Sequence, residues 1–124
     1  MQDEPTPVEL TQAVADFLRD DIAPQLSGHS AFKLRVAINT LDLVRRQLTL
    51  ATGSDAAEAE RLTQLLGMAG PLFELNRALA EKIANGEVDL QTPRLAEHLW
   101  QTTMDKLAVD QPNYASYRRE LGQK

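Results

Sequence analysis

The sequence predicts an all-α protein: an antiparallel bundle of about five helices plus a short C-terminal helix, in one domain over residues 1–124. Three observations predict it. Apolar residues recur three and four apart through most of the chain. No segment shows the period-two alternation of a half-buried strand. Turn signals cut the chain into stretches of helical length joined by short connections, which favours antiparallel neighbours.

Thr6-Pro7-Val8-Glu9 opens the first helix, with Thr6 as cap, Pro7 in the first turn and Glu9 completing a capping box. Leu10, Val14, Phe17, Leu18 and Ile22 give its apolar face. Pro24 ends or kinks it near Asp20, whose carbonyl loses its partner. After the turn at Ser27-Gly28, a second helix spans about 29–51. Its apolar residues fall on two sides: a broad face (Leu34, Ala37, Ile38, Leu41, Val44, Leu48) and a second stripe (Phe32, Val36, Leu43, Leu50). A helix apolar on two sides packs on two sides, so this one is expected at the centre. Thr52-Gly53 is read as its end and Ser54 as the cap of a third helix through Leu66. Gly67 and Gly70-Pro71 follow as breaks. A fourth helix carries Leu72, Leu75, Leu79 and Ile83 and stops at Asn85-Gly86. A fifth opens at Thr92-Pro93, carries Leu95, Leu99, Trp100, Met104 and Leu107, and ends at Asp110-Gln111-Pro112. Residues 113–121 suggest one more short helix.

Composition narrows the function. The 124 residues are 43% hydrophobic and 25% charged, as in an ordinary globular domain. There is no Cys, so disulfides and thiolate metal sites are excluded. The acidic start lacks the apolar run of a signal peptide, and no stretch approaches a membrane span. The expected location is the cytoplasm, without a membrane partner. A net charge of −5 argues against nucleic acid. Residues 1–26 hold six acids and one base, Arg19; residues 33–46 hold four bases (Lys33, Arg35, Arg45, Arg46) and one acid, Asp42. Attraction between neighbouring helices accounts for this, and a basic surface for an anion is the sharper alternative.

Catalytic and metal motifs are missing. There is no HExxH, no Glu three residues before His29 or His98, no Walker loop and no GxSxG. No catalytic residue, metal site or cofactor is expected. His98 falls on the polar side of the fifth helix and reads as a solvated histidine.

The informative residues are polar ones on apolar faces. Asn39 lies inside the second stripe of helix two, and Asn76 one turn after Leu72. A buried amide needs a partner. Arg35 precedes Asn39 by one turn, Arg77 adjoins Asn76, and Lys106 and Asp110 are four apart and able to pair. These six, Arg35, Asn39, Asn76, Arg77, Lys106 and Asp110, form either a buried network that fixes helix register or a pocket for a carboxylate or phosphate. Tyr114, Tyr117 and Arg118 either fold over a bundle end or anchor a partner.

Phe32-Lys33-Leu34-Arg35-Val36-Ala37-Ile38-Asn39, Glu74-Leu75-Asn76-Arg77 and residues 106–118 carry a resemblance. The chain resembles a family of small bacterial helical proteins known as a domain of unknown function. The resemblance covers nearly the whole chain and implies an all-helical fold with no assigned activity. It also implies genes beside an aminoglycoside-phosphotransferase-like kinase and an acyl-CoA dehydrogenase, and hence an accessory role in acyl-group metabolism. Residues 17–24 are similar to the opening helix of acyl-CoA dehydrogenases, but the chain is far too small for that enzyme.

Two functions remain. One is a non-catalytic binding module docking on a partner enzyme, such as that kinase or that dehydrogenase. The other is a protein, conceivably an enzyme, that binds a small anion between helices two, four and five. A homodimer through a helix face fits either.

Overall fold

The computed structural model describes residues 3–122, and all regular structure among them is helical. Five α-helices follow in order: α1 (Pro7–Phe17), α2 (Gly28–Leu66), α3 (Leu72–Ala84), α4 (Leu95–Asp110) and α5 (Ala115–Glu120). Contacts group the chain into two compact units, residues 1–51 and 52–124. Residues 28–51 of α2 belong to the first unit and residues 52–66 to the second.

In the first unit the capping box forms as expected. The Glu9 amide donates to Thr6 Oγ1 at 3.2 Å, and the Thr6 amide donates to Glu9 Oε2 at 3.0 Å. As expected from Pro24, the regular α-helix gives way around Asp20. It widens into a π-turn over Leu18–Ile22, where the Ala23 amide donates to the Leu18 carbonyl, and tightens into a 3-10 turn over Ala23–Gln25. The wider turn accommodates the missing Pro24 donor without ending the helix abruptly. The Gln25 side chain donates to the Asp21 carbonyl at 2.6 Å, satisfying an acceptor at the helix end. Arg19 ties α1 to α2 through Asp42 at 2.7 Å. The rest of the contact is thin: Ala15 and Ile38 are the buried hydrophobic residues of this unit among those described.

Two expectations fail along α2. The helix does not stop at Thr52-Gly53; it runs unbroken to Leu66, so Ser54 lies in the helix interior rather than capping a new one. A helical Gly costs about 1 kcal/mol relative to Ala. The good helix formers on both sides, Ala51 before it and Ala56, Ala57 and Glu58 after it, are sufficient to carry the helix through. The second stripe is also not packed: Phe32, Val36, Leu43 and Leu50 are exposed. So are Leu10, Val14 and Phe17 of α1, which the spacing placed against a core.

The second unit has a conventional core. Leu62, Leu75, Leu79, Val88 and Leu95 are buried together, with Ala59, Leu65, Leu66 and Leu72 against them. Gly67 ends α2 at φ +67°, its amide donating to the Thr63 carbonyl. Asn85-Gly86 ends α3 as predicted, with the Asn85 amide on the Glu81 carbonyl. The fifth predicted helix, α4, starts at Leu95 rather than Pro93. Residues 89–92 form a turn first, in which Thr92 Oγ1 accepts from the Asp89 amide and Asp89 Oδ1 from the Gln91 amide. Trp100 and Leu99, read as part of the apolar face of α4, are exposed.

Candidate functional site

The polar residues that the structure brings together lie in the second unit, on facing turns of α2, α3 and α4. His98 is 2% exposed, which corrects the expectation of a solvated histidine. The buried side of α4 runs through Leu95, His98 and Val109, with half-buried Thr102 between them. These fall three, four and seven residues apart, and that spacing was the sequence signal for a buried His98. The Arg61 Nε–H donates to His98 Nδ1 at 3.1 Å, and Arg61 Nη2 donates to Thr102 Oγ1 at 3.2 Å. With Nδ1 accepting, the ring proton sits on Nε2 in the neutral form. Burial holds the imidazole below its ordinary value of 6.5; the Arg61 charge adds to this, and Glu58 partly offsets it.

Glu58 connects this cluster to α3. Its Oε1 accepts from Asn76 Nδ2 at 3.0 Å, and the same amide reaches the Leu72 carbonyl at 3.3 Å. One turn beyond Arg61, Gln64 Oε1 accepts from Arg94 Nη1 at 3.0 Å. Arg94 holds a left-handed φ of 72° at the start of α4, a conformation that costs a non-glycine residue on the order of 1 kcal/mol. One row of α2 side chains, Glu58, Arg61 and Gln64, thus fastens α3 and α4 by hydrogen bonds. A general base needs a lone pair directed at substrate. The Nδ1 lone pair of His98 is directed at Arg61 and the ring is sealed, so this arrangement locks helix register.

The six residues singled out as a polar set are all exposed. In the second unit Asn76 is held by Glu58, and Arg77 pairs with Glu81 at 3.4 Å. Among the described residues Lys106 and Asp110 make no ion pair with each other. In the first unit Arg35 and Asn39 lie on or beside the uncovered stripe of α2, so neither needs a buried partner. Tyr114 is exposed just ahead of α5, while Tyr117 and Arg118 are half-buried within it. Among the described residues no three His, Asp or Glu side chains are grouped to hold a metal ion.

The other distinctive surface is the first unit itself. The π-turn and 3-10 turn carry α1 on to Gln25, and only Leu26 and Ser27 join it to α2, so the two turn back on each other as an antiparallel hairpin. At 100° per residue, the Arg19–Asp42 bridge marks one side of this hairpin. Leu10, Val14 and Phe17 fall with Ala37, Val44 and Leu48 on the opposite side. Phe32, Val36 and Leu43 form a separate row on the far flank of α2, with Asn39, Arg35 and Arg46 along its edge.

The model of DUF6285, a domain of unknown function, matches residues 24–114. The chain belongs to this family. The matched region of DUF6285 takes in α2, α3 and α4, and with them Glu58, Arg61, Asn76, His98 and the Phe32–Val36–Leu43 row. α1 and α5 lie outside it. No curated protein and no solved structure matches the chain at a significant level.

Proposed function

We propose that this DUF6285 protein is a non-catalytic binding module that docks on a partner enzyme through the Phe32–Val36–Leu43 row of α2. One observation carries the reading. A helix that would be expected to bury two apolar sides leaves this one open, with Phe32 55% and Val36 50% exposed. Large apolar side chains grouped on a surface and rimmed by polar groups mark interaction sites. Arg35 on the rim selects a partner whose apolar patch is bordered by carboxylates. The family resemblance makes a phosphotransferase-like kinase the first enzyme to try and an acyl-CoA dehydrogenase the second, within acyl-group metabolism in the cytoplasm.

An anion bound by Arg35, Asn39, Asn76, Arg77, Lys106 and Asp110 is less well supported, because Asn76 is engaged by Glu58, whose charge would repel the ligand. The test is photo-crosslinking in cells from a probe at position 36. The expected result is a covalent adduct with one defined protein, lost in Phe32→Glu and Leu43→Glu variants whose melting is unchanged. No adduct, or an adduct indifferent to both substitutions, would refute the reading.

A further inference from the structure

The other open side of the hairpin points to a different occupant. We propose that the face formed by Leu10, Val14 and Phe17 of α1 with Ala37, Val44 and Leu48 of α2 is covered by the same face of a second copy, giving a four-helix bundle. This face is distinct from the row assigned above to a partner enzyme.

Three observations support a second copy. The first is area. The five large side chains are 41–53% exposed. With Ala37 they present roughly 500 Å² of apolar surface per copy, against about 800 Å² per partner in a standard interface, of which about 65% is apolar in homodimers. The face is therefore the size an isologous contact needs. The second is charge. An isologous contact sets the same patch of both copies together, so a face rich in one sign of charge would repel itself. The six residues are uncharged, and Lys33, one turn before Ala37, is the charge at the end of the α2 row. The hairpin's cross-helix ion pair, Arg19–Asp42, lies on the opposite side. The third is the core. Among its described hydrophobic residues this unit fully buries only Ala15 and Ile38, with Leu18, Ile22, Leu34 and Leu41 half-buried, a thin core for two helices. A second hairpin supplies the missing layer.

The symmetry follows from the topology. A two-fold axis parallel to the helices places α1 of each copy beside α2 of the other. Within a copy α1 and α2 are antiparallel, so these crossed neighbours are antiparallel too, the arrangement of an up-down bundle.

Sedimentation velocity over about 1–100 µM tests this with the full chain. The wild type should sediment with the mass of two chains at the upper concentrations. Val14→Glu and Leu48→Glu, on different helices, should each sediment as one chain across the range while keeping the helical circular dichroism of the second unit. Phe32→Glu, on the other row, should remain a dimer. The proposal is overturned if the wild type is a single chain at 100 µM, if Val14→Glu and Leu48→Glu both stay dimeric, or if Phe32→Glu dissociates the dimer while they do not. Should either glutamate variant lose helical signal, Val14→Ser and Leu48→Ser replace them with the same expected result. A monomeric wild type that still gives the position-36 adduct in cells would sink the dimer and leave the docking row standing.

Discussion

Mild acid should destabilise this protein through His98. In the folded chain the imidazole is kept neutral, first by burial and then by the Arg61 charge, against a partial opposing effect from Glu58. In the unfolded chain it titrates near the ordinary value of 6.5. Below that value the unfolded state binds a proton that the folded state refuses, so stability falls as pH is lowered towards the depressed folded value. Above 6.5 the effect is absent. One proton gives a slope of at most about 1.4 kcal/mol per pH unit, so a loss of up to about 1.4 kcal/mol is expected at pH 5.5. For a domain of this size that is a drop of up to roughly 3–8 °C in Tm. The assay is a series of thermal melts from pH 7.5 to 5.5 on wild type and His98→Gln. The glutamine carbonyl can accept from Arg61 but does not titrate. The wild type should lose stability relative to His98→Gln as pH falls. The exposed His29, common to both, cancels in the comparison. A gap between the two proteins that stays constant across this range would refute the reasoning.

Three further outcomes follow from the packing. Gly53→Ala should raise stability by about 0.5–1 kcal/mol, since a Cβ there meets nothing within 4 Å and the residue is helical; a destabilised variant in denaturant melts would mean that α2 breaks at this point. Leu75→Ala should cost about 2–5 kcal/mol by opening a cavity in the second unit's core, where Leu75 is fully buried; a loss below 1 kcal/mol in urea unfolding would contradict that placement. Asn39→Leu should change stability little, within about 0.5 kcal/mol, because the residue is exposed; a loss above 2 kcal/mol in urea unfolding would restore it to a buried network.

The helix boundaries that were legible in the sequence rest on local chemistry. Thr6 and Glu9 close a capping box, and Gly67 and Asn85-Gly86 supply stops, wherever the rest of the chain lies. Gly53 misled because a glycine signal carries about 1 kcal/mol, which neighbouring helix formers outweigh. Leu99 and Trp100 give α4 an apparent apolar phase that hides His98, whereas the buried line runs through Leu95, His98 and Val109. The row of Glu58, Arg61 and Gln64 looked like an ordinary solvated face, and only the three-dimensional placement of α3 and α4 shows what it holds. The two-sided apolar pattern of α2 was read correctly as a pattern. Its consequence was misassigned, because periodicity reports that a face is apolar and is silent on whether the covering surface belongs to the same chain.

The central claim is that the open apolar rows of the first unit are covered when the protein works. Hydroxyl-radical footprinting of Phe17 and Phe32, in cells and in dilute purified protein, tests it most directly. The account predicts that both rings, each more than half exposed in the isolated chain, react readily in dilute solution and are protected in cells. Equal labelling of both rings under the two conditions would contradict it.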